Sequence, residues 1–303
     1  VSLSQLHEPV LLEETLKAVS EHFALDQVFC GIDGTFGRGG HAKELLNKFP
    51  KLKIIGLDQD QAAIDYAKDQ YAELISSKRL EIIKTNFADQ EKIEKSVEDA
   101  VQFVFLDIGV SSPQLDNADR GFSFYNDGPL DMRMDQNSEL TASKVLNTYE
   151  PEELREIFLK YGEVYASDRV LEHITEFRNQ KKFSTTLEFA SLIEKACGWR
   201  RKSVHPATLY FQALRIYINK ELESLEAALN YFTEKLEAGG IFAVITFHSL
   251  EDRMVKRFFK NNDLGKPVNK KVIKPSKEEE SKNKRARSSK LRVFKKYEDQ
   301  EKV

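Results

Sequence analysis

The chain has 303 residues, an apolar fraction of 41% and a charged fraction of 31% whose signs nearly cancel at −3. That length carries one large domain or two smaller ones with a real core, and the charge balance excludes a uniformly basic or acidic surface. Cys30 and Cys197 form neither a C-x-x-C pair nor a zinc-ligand spacing, the opening residues Val1 to Glu14 lack a signal-peptide pattern, and no run approaches the ~20 apolar residues a membrane crossing needs. A cytoplasmic protein with no membrane segment, no disulfide framework and no metal site is expected.

Short apolar runs bounded by turn residues fill the first third: Val28 to Ile32, Lys53 to Leu57, Leu80 to Ile83, and Phe103 to Ile108, the last broken only by Asp107. They are too short for helices and rich in Ile, Val and Phe, which predicts strands. Between them, 40–49 (Leu45, Leu46, Phe49) and 61–74 (Ile64, Ala67, Tyr71, Leu74) have helical spacing. Strand alternating with helix predicts an α/β fold, a Rossmann-like parallel sheet covered by helices. A fifth strand, Ile241 to Phe247, comes about 130 residues after the fourth, whereas a crossover needs only about a dozen. Residues 115–204, with helical faces such as Leu154, Ile157, Phe158, Tyr161 and Leu187, Ala190, Ile193, are therefore read as an inserted, mainly helical domain that recognises substrate. Residues 1–114 and 205–303 then make one discontinuous sheet domain.

The return path is read as one long helix from Pro206, with Phe211, Leu214, Ile218, Leu222, Leu225, Leu229, Phe232 and Leu236 on one stripe. Residues 262–290 have few apolar side chains and predict a mobile loop or tail. Its basic end, with Lys284, Arg285 and Arg287, is either a solvated surface or a contact for RNA phosphates.

Ligands of open parallel sheets bind beyond the carboxyl ends of the strands, near a switch in strand order. Asp33 closes the first run; Gly34, Gly37, Gly39, Gly40 and His41 follow at once. Glycines let a backbone approach a ligand and adopt positive φ. Asp58 closes the second run and can accept from both ribose hydroxyls of an adenosine. Phe87, after the third run, offers a wall to an adenine, and Asp107 closes the fourth. Residues 37–42 also satisfy G-x-G-x-x-A with Asp58 about 20 residues on, so an NAD-dependent oxidoreductase stays an alternative. The register is poor for it: three residues separate Asp33 from Gly37, whereas the dinucleotide turn begins directly at the strand end.

On the substrate side, Ser111-Ser112-Pro113-Gln114 follows the fourth run. Amine methyltransferases often carry an acidic residue or Ser followed by Pro here. Acceptors that hold an exocyclic amine favour a pyramidal nitrogen and aim its lone pair at a methyl donor. Ser112, Pro113 and Asp131 are the candidates for that positioning. Arg120 to Phe124 and Gly128 to Asp135 form a glycine-punctuated, aromatic and charged loop. Arg120 and Arg133 are candidates for meeting phosphates, and the aromatics for stacking on an unpaired base; the alternative is a salt-bridged packing loop. After the fifth run, Ser249 with Asp252 fits an N-cap signature, and His248 reads at least as well as a structural histidine as a catalytic one.

Several of these stretches are long and specific. His7-Glu8-Pro9-Val10-Leu11-Leu12, Asp33 to His41, Leu106 to Leu115, Arg120 to Asp135, His205-Pro206-Ala207-Thr208, Phe211 to Ile216 and Phe247 to Lys256 resemble the RsmH (MraW) family of bacterial small-subunit ribosomal RNA cytosine-N4-methyltransferases, over nearly the whole chain. The resemblance implies an S-adenosyl-L-methionine-binding sheet domain with an inserted helical domain, acting on a cytidine N4 amine in the decoding centre, on either the small-subunit RNA or the assembled small ribosomal subunit. Carried over by motif, the cofactor contacts are Gly39, Gly40, His41, Asp58, Phe87, Asp107 and Gln114, beside Asp33 and Gly37 from the cradle itself. The chain departs from the family at Leu209-Tyr210, where an Arg followed by a small residue is common, and at Asn86. A non-catalytic RNA-binding assembly factor with a vestigial pocket is the further alternative.

Overall fold

The computed structural model describes residues 9–198 and 205–298, the side chain of Ser112 excepted; His7 and Glu8 lie outside that set. Leu11, in the left-handed region, opens α1 (Leu12–Ser20), which buries Leu16 and Val19. Next come β1 (Phe29–Asp33), α2 (Gly40–Lys48), β2 (Leu52–Asp58), α3 (Gln61–Gln70), α4 (Ala72–Ser76), β3 (Leu80–Lys84), α5 (Gln90–Ser96) and β4 (Val101–Asp107). All four strands lie within two residues of the expected runs. The 61–74 helix is interrupted at Tyr71, which leaves helical geometry and donates its hydroxyl to the Arg38 carbonyl at 2.7 Å. The mainly helical stretch holds α6 (Ser112–Asp116), α7 (Ala142–Thr148), α8 (Pro151–Gly162), α9 (Asp168–Gln180), α10 (Thr186–Cys197) and α11 (Ala207–Asn219). The chain ends with α12 (Glu221–Lys235), β5 (Leu236–Thr246), α13 (Ser249–Lys260), β6 (Gly265–Pro267), α14 (Lys277–Lys282) and β7 (Lys290–Lys296). No helix among the described residues is long and apolar enough to cross a membrane.

The sheet has the order β3-β2-β1-β4-β5-β7-β6. The first five strands are parallel; β7 runs antiparallel to β5, and β6 to β7. Alternation along each strand feeds two cores. Phe103 and Phe105 of β4 share one core with Leu16 and Val19 of α1 and Leu45 and Leu46 of α2, while Val104 and Leu106 share the other with Ile93, Leu229, Phe232 and Val255. Each such fully buried side chain contributes roughly 1.5–3 kcal/mol before the entropy of ordering it. Strands β2 and β3 lie to one side of β1 and β4 lies to the other, so the order reverses between β1 and β4. The carboxyl ends of those two strands, Asp33 and Asp107, mark the switch point.

Three expectations are corrected. The long helix is two: Lys220 sits at φ 49° in the left-handed region, stops α11, and lets Arg215 make a two-pronged pair with Glu221 at 2.9 and 3.0 Å. The 262–290 segment is ordered, because Ile273 bridges to Leu291 and Ala286 is buried in the core under β7. The chain divides into Val1–Gly109 with Glu223–Val303 and Val110–Leu222, so the second unit begins before residue 115 and takes in α11. The physical reason is that α11 packs on α8: the Phe158 and Tyr210 rings meet edge-on at 4.8 Å, and a Cβ on Gly162 would come within 2.6 Å of the Leu209 carbonyl oxygen. That second unit is built on an aromatic ladder in which Phe183, Phe189 and Phe158 are each buried.

Candidate cofactor cradle and substrate loop

The cradle grows from β1. Asp33 is buried, accepts from the Thr35 N–H at 3.2 Å, and is pushed up to about 7 by burial, against the pull of that hydrogen bond and with a further push from Asp58. Gly34 hangs on β4 through its N–H to the Phe105 carbonyl at 2.9 Å, and Phe36 hangs on β2 through its N–H to Leu57 at 3.0 Å. The loop is thus stretched across three strand ends. Gly37 and Gly39 have φ of 55° and 70°, and a Cβ on Gly39 would stand 2.5 Å from the buried Phe36 ring. Gly39 requires glycine on steric grounds, whereas at Gly37 the positive φ favours it.

Asp58 locks the loop from β2. Its Oδ2 accepts from the Gly37 N–H and its Oδ1 from the Asp60 N–H, both at 2.8 Å. A carboxylate oxygen has more than one lone pair, so Asp58 can accept from further donors. Burial raises its pKa, partly offset by those two hydrogen bonds. The loop after β3 is tied to the same corner: Asn86 donates to Gln59 at 2.9 Å, and Phe87 packs against the core.

His41 sits in the first turn of α2, buried, with Nε2 2.9 Å from the Val10 carbonyl and its ring tilted on Phe105 at 4.6 Å. Its Nδ1 lies 3.9 Å from Asp107 Oδ2. Asp107 receives no such help at Oδ1, which is buried without a hydrogen-bond partner among the described residues. Its carboxyl is pushed up to about 8, first by burial and then by Asp33 and Glu251. The switch point therefore holds two acids whose ionisation is disfavoured by burial and by neighbouring carboxylates.

Four contributors were not foreseen. Thr35 Oγ1 accepts from the Asp107 N–H at 2.6 Å, and Phe36 is the floor beneath Gly39. Glu251 is fully buried, accepts from the Phe247 and His248 N–H groups at 2.9 and 3.3 Å, and lies near enough to Asp107 to raise it. The helix cap there is His248, one residue before the expected Ser249. His248 and Glu251 form the capping box, with Glu251 Oε1 2.8 Å from His248 Nε2. The signal lay in the acid three residues after His248, a capping-box spacing with an unusual first member. Tyr71, holding Arg38 by its carbonyl, had no sequence signal beyond its place on a helical stripe.

The substrate-side residues belong to the second unit. Ser111 caps α6, and Gln114, buried, returns its Oε1 to the Ser111 N–H at 3.1 Å, with Pro113 in the first turn. Asp131 is taken up by Arg133: its Oδ1 accepts from the Arg133 N–H at 2.9 Å and Nε at 2.8 Å, and its Oδ2 from Arg133 at 2.7 Å. Burial pushes its pKa up, but Arg133 outweighs it and the net shift is downward. Arg133 also donates to the Gln136 and Ser138 carbonyls, at 2.9 and 2.5 Å. Arg120 donates to the Arg133 and Met134 carbonyls, both at 3.1 Å. Both guanidinium groups thus hold the 120–138 loop in shape. In the first unit, Lys284 and Arg287 are exposed and Arg285 half-buried on a short 3₁₀ turn pinned by Ala286.

The MraW methylase family matches residues 4–297. The chain belongs to that family. It is 47% identical to the ribosomal RNA small subunit methyltransferase H of Bdellovibrio bacteriovorus, over 95% of this chain and 87% of that protein. It is 42% identical to the same-named protein of Carboxydothermus hydrogenoformans, over 96% of this chain and 97% of the other. The Prochlorococcus marinus protein of that name is 44% identical, over 95% of each. The chain's own sheet, parallel over β3-β2-β1-β4-β5 with its order reversing between β1 and β4, is Rossmann-like.

Proposed function

We propose that this MraW methylase transfers the methyl group of S-adenosylmethionine to the N4 amine of a cytidine in the decoding centre of small-subunit ribosomal RNA, in the cytoplasm. The observation that carries the cofactor side is the acid pair at the switch point, Asp33 and Asp107, whose ionisation a bound cation would favour. Asp107 keeps a buried, unpartnered oxygen, and both Asp33 and Asp107 are raised, which suits a ligand bearing a sulfonium and an ammonium. A dinucleotide brings phosphates to that position, which would disfavour ionisation of these acids still further, so the oxidoreductase reading loses ground. Asp58 is set to hold the ribose, Phe87 the adenine, and Gly37, Gly39, Gly40 and His41 the methionine end. When bound, S-adenosylmethionine supplies an electrophilic methyl group. Ser112 and Pro113 are assigned to the substrate amine and Gln114 to the cofactor, with Gln114 already fixed by its bond to the Ser111 N–H. Asp131 is weaker for that role than its sequence position suggested, since both its oxygens serve Arg133.

The substrate side rests on the names of the relatives and on the shared motifs. Incubating small ribosomal subunits that lack the modification with methyl-labelled cofactor is expected to label one cytidine at N4. Absence of label, with RNA binding intact, would favour the non-catalytic assembly factor. Quenching of NADH fluorescence with no heat of S-adenosylmethionine binding would favour the oxidoreductase.

A further inference from the structure

Tyr125 is 83% exposed, more than any other large apolar or aromatic side chain among the described residues. Its loop neighbours fare differently: Phe122 is buried and Phe124 half-buried. Nor is the ring loosely held. It lies on Phe124, with centroids 5.1 Å apart and planes inclined by 28°. Phe124 is backed edge-on by Phe211 at 4.8 Å and flanked by His205 at 4.8 Å, and Phe211 is stacked on buried Phe189 at 5.6 Å.

The loop backbone is fixed on both sides of that ring. Gly121, at φ 71°, turns so tightly that a Cβ would strike the Pro129 carbonyl oxygen and the Asp131 nitrogen. On the other side, Gly128 exchanges hydrogen bonds with Thr186, receiving the Thr186 N–H at 2.9 Å and giving its own to Oγ1 at 3.2 Å, while Asp127 accepts from the Leu187 N–H at 3.1 Å. The ring thus leans on half-buried Phe124 on one side and is offered to solvent on the other. That is half of a sandwich, built before its partner arrives.

We propose that Tyr125 is a stacking platform for an unpaired base of the RNA substrate. The assignment rests on the ribosomal RNA reading above. A planar ligand covers the free face fully, and every base has a π-face to offer. A protein partner is disfavoured, because within the 121–128 loop Tyr125 is the one exposed large apolar side chain, set among Ser123, Asn126 and Asp127, with exposed Leu187 beside Asp127, which is less than the broad patch that protein docking uses. Bases splayed from single-stranded RNA are commonly held in this way.

The test uses the full chain, unmodified small ribosomal subunits and labelled S-adenosylmethionine. Tyr125→Ala is expected to raise KM for subunits about tenfold, the scale of one lost base stack. It should leave kcat, the cofactor affinity and the salt slope of RNA binding as in the parent. Tyr125→Phe and Tyr125→Trp should restore KM to within about twofold, and Tyr125→Leu, which keeps apolar bulk without a π-face, should not. An unchanged KM in Tyr125→Ala, or full rescue by Leu, overturns the platform while leaving the RNA reading intact. No transfer by the parent protein overturns that reading and the platform with it.

Discussion

Asp58→Asn is the sharpest probe of the cradle. The carboxylate accepts one backbone N–H on each oxygen, from Gly37 and from Asp60, both at 2.8 Å. An amide has only one oxygen, so however it turns, its NH2 faces one of those two donors. One charge-assisted hydrogen bond is lost, worth roughly 1.5–3 kcal/mol. In the ligand-free protein the loss is softened, because burial already disfavours the ionised Asp58 and the neutral amide escapes that penalty. A net destabilisation of about 1 kcal/mol is expected in urea unfolding. The bound cofactor has no such compensation. One acceptor for a ribose hydroxyl has become a donor and the other has lost its charge, so affinity should fall by roughly 1.5–3 kcal/mol, or about 10- to 150-fold. Titration calorimetry with S-adenosylmethionine and with its demethylated product measures this directly. Affinity within twofold of the parent for both ligands would refute the placement of the ribose on Asp58.

The raised acids make the ligand-free fold pH-sensitive. Asp33 and Asp107, at about 7 and about 8, hold protons in the folded state that the unfolded chain releases near the ordinary carboxylate value, so their contribution falls as pH rises from about 4 through 8. Thermal midpoints should decline less steeply over that range in Asp33→Asn/Asp107→Asn than in the parent; an identical decline removes these two acids as the cause. Arg133→Lys cannot reproduce the fork to Asp131 together with the bonds to the Gln136 and Ser138 carbonyls, and should cost roughly 1–3 kcal/mol of stability with faster hydrogen exchange in residues 131–138. Unaltered exchange there would count against Arg133 as the loop's anchor. Changing Lys284, Arg285 and Arg287 to Gln should weaken RNA binding and lower its salt slope by about 2, with an unaltered slope returning that turn to plain solvated surface.

The strand ends were legible because an apolar run closed by an acid and a glycine has few other readings, and Asp33, Asp58 and Asp107 stand where the sequence implied. β7 was not legible. Its inward residues Leu291 and Val293 alternate with Lys290 and Arg292, and the charges read as a tail. What makes them tolerable in a strand is Asp252 on α13, which pairs with Lys290 at 3.0 Å and Arg292 at 2.7 Å; a partner about 40 residues away leaves no mark in local composition. The break between α11 and α12 escaped for a similar reason, since the left-handed residue is Lys220 and not the glycine that usually announces a stop. Asp131 was recognised as an available carboxylate, but its capture by a residue only two positions on depends on the loop's curl and not on spacing.

The buried acids tie stability to function. A carboxylate such as Asp107, with one oxygen orphaned and other acids nearby, lowers the stability of the ligand-free protein at neutral pH. In the proposed placement of the cofactor, a cation at the switch point would remove that penalty, so part of the binding free energy would come from strain relieved in the protein as well as contacts made to the ligand. Loss of the methyl group removes the sulfonium charge and with it part of that relief. On that proposal, the arrangement that draws in the charged donor would also favour release of its neutral-sulfur product. The discrimination should be greatest where Asp33 and Asp107 are both ionised, above about pH 8, and should fade as either one is protonated.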